Sequence, residues 1–245
     1  MSKKTKLKKR SSGYWIYTLI GVPILIVGLK IIKKNHIPAG ASMYEVVGVD
    51  ISKHSGIIDW TVLKSQGIQF AFIKSTEGQN YKDPFYKQNY AGAKKNDILV
   101  GAYHFFRFNK DGRLQAQHFL NETNHQRGDL IPVVDVEYHG NILSLKSDKD
   151  VICEIEEFLN VVESELNVKP IIYTNKEAYL RLVKGHFQGY RLWLSDLNQE
   201  PKFSDNGWDF WQYTHKGRIK GANYLIDFNV FKGSFFELKS NYALK

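Results

Sequence analysis

LIPVVDVEYHG, residues 130–140, begins with the apolar, β-branched look of a buried strand and ends in two carboxylates, Asp135 and Glu137. Alternate side chains of a strand share one face and lie about 7 Å apart along it, so both acids look the same way. A buried strand that closes on two acids aimed in one direction ends in a site. The fold is decided by where the neighbouring strands place their own ends.

Strand-like runs precede this one at 44–50 (YEVVGVD), 68–75 (IQFAFIKS) and 98–106 (ILVGAYHFF), and another follows at 169–174 (KPIIYT). Helical stretches separate them, a short one at 60–66 and longer ones at 84–96, 112–126 and 148–166. In the last of these Val151, Ile152, Ile155, Phe158, Leu159, Val162 and Leu166 recur at helical spacing. Ser147, with Asp150 three residues on, supplies its cap. Strand and helix in regular alternation predict a parallel sheet covered by helices. After residue 185 the alternation lapses, and the runs at 190–195 (YRLWLS), 208–214 (WDFWQYT) and 223–231 (NYLIDFNVF) are joined by Gly-, Asp- and Asn-containing turns with little room for helices. About eight strands and five helices predict an α/β fold, an irregular TIM-like (β/α) barrel over residues 46–240 whose last third has lost its helices.

Active sites of such barrels lie at the C-terminal ends of the strands, where this chain repeatedly places acids. Asp50 ends the first strand, Asp135 and Glu137 end the fourth, and Asp227 lies late in the last. In a closed barrel the first and last strands are neighbours, so Asp50 and Asp227 should face the Asp135 and Glu137 pair. Like charges gathered in a desolvated cleft cannot all ionise freely, which keeps a carboxylic acid protonated for general-acid work. Tyr103, Phe105, Tyr173, Trp193, Trp211 and Tyr213 occupy the same rim. Acids that can protonate a glycosidic oxygen, beside flat faces for sugar rings, form the kit for glycoside cleavage.

Plainer roles compete for several of these residues. A lone Asp at a strand end also serves as a turn or helix cap. Trp60 is expected in the core, and Lys74 with Glu77 is expected to form a salt bridge at the end of the second strand. The eight His residues show no HExxH or comparable spacing, so neither a metal nor another cofactor is expected. Cys153 has no partner for an internal disulfide and is expected to be a buried thiol on the apolar face of its helix.

The formal charge of +9 suggests nucleic acid until it is located. Nine of the 34 Lys and Arg residues fall in residues 1–34, where there is no acid, which leaves 25 bases against 25 acids in the remainder. A neutral folded part gives no basis for phosphate-backbone recognition, and no nucleic-acid partner is expected. The basic tail, 1–13, precedes YWIYTLIGVPILIVGLKII, residues 14–32, in which Lys30 is the sole charge. As a helix this stretch is about 28 Å long, close to the roughly 30 Å core of a bilayer. The denser positive cluster should stay cytoplasmic, placing the barrel outside, beyond a linker at 33–45. Tyr14, Trp15 and Tyr17 suit the interface. A cleaved signal peptide is the alternative, with Ala39-Gly40-Ala41 as its processing site, though the apolar run exceeds the usual 7 to 15 residues.

The ordered set GVDISKHSGIIDW (48–60), FAFIKSTEGQNYKD (70–83), VGAYHFFRF (100–108), PVVDVE (132–137), IIYTN (171–175), LWLS (192–195), WDFWQYT (208–214) and IDFN (226–229) resembles the family 25 glycoside hydrolases, lysozymes that act as N-acetylmuramidases. The resemblance runs in the family's order from about residue 46 to 231. It implies hydrolysis of the β-1,4 bond between N-acetylmuramic acid and N-acetylglucosamine in peptidoglycan. It also implies that Glu137 is the general acid, that Asp135 stabilises the intermediate or orients the substrate's acetamido group, and that Asp50 and Asp227 are supporting carboxylates. Tyr103, Tyr173, Trp193, Trp211 and Gln212 match positions expected to line the sugar groove. Asp196, after LWLS, departs from the aromatic more usual nearby, and no wall-binding repeat follows the barrel in this sequence, a part the anchor is expected to take.

The expectation is therefore a single-pass membrane enzyme facing the cell wall, with peptidoglycan strands as its partner. Two alternatives stay open: a glycan-binding scaffold without activity, and a hydrolase of another N-acetylated glycan such as chitin. Whether Asp135 attacks directly or assists the substrate's N-acetyl group is also open.

Overall fold

The computed structural model describes residues 40–141 and 146–245, so the basic tail, the span expected at 14–32 and most of the linker lie outside the described residues. Among the described residues no helix is long and apolar enough to cross a membrane. The elements in chain order are β1 (Val46–Ile51), α1 (Trp60–Ser65), β2 (Phe70–Glu77), β3 (Tyr81–Lys82), α2 (Tyr86–Lys95), β4 (Leu99–Phe105), α3 (Gly112–Glu122), β5 (Val133–Val136), α4 (Asp148–Leu166), β6 (Ile171–Asn175), α5 (Lys176–Ala178), β7 (Leu192–Ser195), β8 (Phe210–Gly217), β9 (Ile226–Phe231) and α6 (Phe235–Asn241).

Eight strands close on themselves in the order β1, β9, β8, β7, β6, β5, β4, β2, with β2 pairing back onto β1, and the two-residue β3 folds against the end of β2. All neighbours in the ring are parallel except at β9, which is antiparallel to both β8 and β1. Residues 218–225 between β8 and β9 hold no helix, and a parallel connection needs a crossover of a dozen residues or more, so the chain can only turn back. Asp227 is therefore at the beginning of its strand and not late in it. Because β9 runs in reverse, that beginning reaches the same mouth as the ends of the other strands.

The period of two sorts each strand into an inner and an outer row. Val46, Phe70, Phe72, Val133, Ile171, Trp193, Phe210 and Phe231 pack inside the barrel. Val49, Ala71, Ile73, Val134, Ile172, Leu194 and Val230 face the helices. Two of these rings lie over bare positions on the neighbouring strand: a Cβ on Gly48 would lie 2.5 Å from the Phe70 ring, and one on Gly101 would lie 2.7 Å from Phe72. Trp60, 3% exposed, sits in the outer core as expected.

α4 begins with the capping box of Ser147 and Asp150, a feature worth about 1 kcal/mol, and buries Val151, Ile155, Phe158, Leu159 and Val162. Cys153 is exposed. It stands about 200° around the helix from Val151, so the expected buried thiol faces solvent instead. α6 and β3 were not expected. α6 lies under the barrel, where Leu238 is fully buried and Tyr242, just beyond the helix, packs against Phe210 and Phe231. Its start could have been read from Ser234 and Glu237, which form a second capping box.

Candidate active site

At the upper end of the barrel the inward row turns from apolar to polar. Asp50 on β1, Lys74 on β2, Tyr103 on β4, Asp135 on β5, Tyr173 on β6, Gln212 on β8 and Asp227 on β9 all open onto the mouth, and Glu137 lies one residue beyond β5. The four acids expected from the sequence line one hollow of about 350 Å³ together with Trp193. A second hollow of about 780 Å³ shares Glu137, His139, Tyr173, Gln212 and Asp227 with the first. The two form one cleft, with Glu137 and Asp227 at the junction.

Hydrogen bonds fix the floor. The Tyr173 and Ser195 hydroxyls donate to Gln212 Oε1 (2.8 and 2.9 Å), which turns the Gln212 amide so that Nε2 donates to Asp50 Oδ2 at 2.9 Å and more weakly to Asp227 Oδ2 at 3.3 Å. Trp193 Nε1 donates to Asn229 Oδ1 at 2.8 Å, and Asn229 Nδ2 in turn donates to Asp50 Oδ2 at 2.8 Å. Two amides thus converge on one oxygen, each held in orientation by donors behind it.

Asp50 and Asp227 are register partners on β1 and β9, and each shifts the titration of the other. Burial raises the Asp50 carboxyl, while its bonds from Asn229, Gln212 and Asp227 pull it back. Burial, then repulsion by Asp50, pushes Asp227 up to about 9. With two amides donating to Asp50, the arrangement favours the proton on Asp227 and the negative charge on Asp50.

Above this pair, burial and the charge of Asp50 push Glu137 up to about 7, against a lowering by Lys74. Asp135 is pushed well above the usual carboxylate range, first by burial and then by Glu137. Its Oδ1 is buried with no hydrogen-bond partner in the described structure. The opposing cation is held in place: Lys74 Nζ lies 2.6 Å from Glu77 Oε2, and Glu77 also pairs with Arg107, whose guanidinium bonds the Gly140 carbonyl next to the cleft. The expected Lys74–Glu77 salt bridge is thus present, and it also forms a wall of the hollow.

Tyr103, Tyr173, Trp193 and Gln212 take their places in the mouth, but Trp211 does not. It precedes the inward Gln212, so its ring points outward into the layer beneath Trp208 and Tyr213, and Nε1 bonds the Asp196 carbonyl at 2.7 Å. Tyr213, stacked on Phe228, also belongs to that outer layer. On the wing where the sequence offers Asp196 in place of an aromatic, the cleft is lined by Asn175, Lys176, Asp196, Asn198, Gln199 and His215. Asn229, Ser195 and Arg107 are not singled out by the sequence. The IDFN segment carried the one available signal, a polar residue two positions from Asp227 and so on the same strand face.

The family model for the glycosyl hydrolases family 25 matches residues 49–222. The Escherichia coli K12 protein YegX is 35% identical over 203 residues, covering 80% of this chain and 73% of that one. Lysozyme M1 of Streptomyces globisporus is 32% identical over 202 residues, covering 77% and 68%. Among solved structures, a family 25 glycosyl hydrolase from Bacillus anthracis superposes with a TM-score of 0.79 at 35% identity, covering 86% of this chain and 99% of that one. The match takes in almost the whole of the bacillus chain, so a solved chain of little more than this barrel exists.

Proposed function

Because the chain belongs to glycosyl hydrolase family 25 and is a glycoside hydrolase of the lysozyme kind, we propose that it cleaves the β-1,4 bond from N-acetylmuramic acid to N-acetylglucosamine in peptidoglycan while held at the membrane by residues 14–32. The observation that carries the bond-cleaving role is the raised Glu137 carboxyl at the junction of the two hollows. At about 7 it keeps a large protonated fraction at neutral pH, where an ordinary Glu has almost none.

Glu137 gives its proton to the leaving glycosidic oxygen as the bond to the anomeric carbon breaks. Positive charge develops on the sugar ring, and the anionic Asp50 below favours it. Asp135 Oδ1, buried and without a partner, is the acceptor for the substrate's acetamido N–H. Held this way, the acetamido oxygen closes on the anomeric carbon. Water, giving its proton to the now ionised Glu137, then opens that ring and restores the starting configuration. The depth of Asp135, with Oδ1 buried and unpartnered and so open to an N–H donor, favours this orienting role over direct attack.

Retention at the membrane suits an enzyme that remodels its own cell's wall or opens it locally. The test uses residues 40–245 on purified peptidoglycan, with the new reducing ends identified and Glu137→Gln alongside. Muramic acid ends from the wild type, with a loss of roughly 10² to 10⁴ in a mutant that stays folded, are expected. Glucosamine ends would reassign the bond, cleavage of chitin oligomers alone would reassign the substrate, and binding without release would leave a glycan-binding scaffold.

A further inference from the structure

The end of the barrel opposite the cleft carries a feature that glycan hydrolysis does not use. A groove of about 710 Å³ at this base gathers Arg127, Lys169, Arg191 and Lys245, with Glu165 as the acid among its described lining residues. Arg127, Lys169 and Lys245 are exposed. Arg191 is set into the floor, with its guanidinium 3.9 Å from the Tyr242 ring centre and bonded to the Asn241 carbonyl. Nearby acids are already engaged: Asp129 by Lys94 and Tyr90, and Asp209 by the Tyr242 hydroxyl and the Leu192 amide.

Asn241, which lines this groove, ends α6, and about 7.5 Å back along that helix Phe236 is 78% exposed although its neighbours Phe235 and Leu238 pack under the barrel. Exposed Lys232 and Lys239 flank it in the sequence. β1 also enters from this end: Tyr44, two residues before it, packs on Trp208 at 5.1 Å, and the Trp208 ring carries the Lys232 ammonium. From residue 32 to residue 40 a chain reaches no more than about 29 Å.

We propose that the base of the barrel is a docking face for an anionic phospholipid surface, with the cationic groove taking up head-group phosphates and Phe236 entering the interface. This rests in part on the proposal that residues 14–32 span the bilayer, which brings lipid within reach of the base. The exposed acid beside Phe236, Glu237, is tied to the Ser234 cap, and a large exposed aromatic with cations on either side in the sequence is what such a surface selects, since phosphates attract the charges and the acyl boundary accepts the ring. Docking by the base directs the cleft away from the bilayer, toward the wall.

The test uses residues 40–245, the barrel unit, sedimented with phosphatidylcholine vesicles that contain or lack phosphatidylglycerol. Binding to the anionic vesicles alone is expected, falling roughly fivefold for each of Lys169→Ala and Lys245→Ala. Phe236→Ser should abolish the part that survives high salt, while melting temperature and hydrolysis of solubilised peptidoglycan stay at wild-type values. No binding to anionic vesicles overturns the proposal. Equal binding to a soluble polyglycerol phosphate with no effect of Phe236→Ser also overturns it, in favour of a phosphate polymer. Full-length chain in membranes washed with alkaline carbonate separates the two proposals. Retained full chain with an indifferent barrel removes the docking face and keeps the anchor; released full chain with a binding barrel removes the anchor and keeps the docking face.

Discussion

Asp50 and Asp227 stand in register on antiparallel β1 and β9, and the amides around them favour the negative charge on Asp50 and the proton on Asp227. The asymmetry comes from Asn229, which donates to Asp50 at 2.8 Å, and from Gln212, which is closer to Asp50 than to Asp227. Two chemically identical residues thus hold different charges, and the difference can be tested.

Asp227→Asn keeps a donor where the protonated carboxyl stood, so kcat should fall by less than about tenfold. Asp50→Asn removes the anion and leaves two amide donors facing an amide, so kcat should fall by about a hundredfold or more. Parallel kcat measurements decide it, and equal losses would refute the assignment of the proton.

Stability should fall as the pH rises. Glu137 at about 7 and Asp227 at about 9 both lie above their unfolded values, so the folded chain holds protons that the unfolded chain has released. That contribution is complete below the unfolded pKa near 4 and is lost as pH passes the folded values. Melting temperature should decline between about pH 5 and about pH 9, and Asp227→Asn should flatten the upper part of the decline. Activity should decline along a limb centred near 7, where Glu137 ionises.

Lys74→Met tests the opposing charge. Lys74 holds both Asp135 and Glu137 lower than burial alone would, while Glu77 keeps Arg107 as a partner when the ammonium is lost. The alkaline limb of the pH–activity profile should move upward and the fold should persist. An unmoved limb would show that Lys74 serves only the ion pair.

Trp211 and Trp193 should separate cleanly. Trp211→Phe loses the bond to the Asp196 carbonyl and core volume, lowering stability by about 1 to 2 kcal/mol with KM near wild type. Trp193→Phe frees the Asn229 amide to turn over, which should reduce kcat. Thermal melts together with steady-state kinetics read both effects.

The barrel was legible because period-two strands and a period-3.6 helix are written in every residue of an element: the apolar rows of VVDV and of Val151 to Val162 carry their own geometry. So were the four acids, because each ends or begins a strand that the pattern locates. Trp211 shows where legibility stops. Its type suggested a sugar platform, but the face of β8 is set by Gln212 one residue away, and which of two adjacent residues points inward depends on pairing with β7 and β9. The direction of β9 was hidden for the same reason, since a strand's alternation reads identically in both directions. Asn229 and Ser195 act through hydrogen bonds 36 or 17 residues distant in the chain, which no local pattern encodes. Cys153 was misplaced by counting it with the apolar stripe when its angle put it opposite.

The interior rings of Phe70 and Phe72 occupy the space left by Gly48 and Gly101, their register partners on the neighbouring strands. Residues 48 and 70 therefore form one unit of inheritance, as do 101 and 72. A lineage can enlarge either glycine only after its neighbouring ring has shrunk, so among descendants of this barrel the members of each pair should change together or not at all.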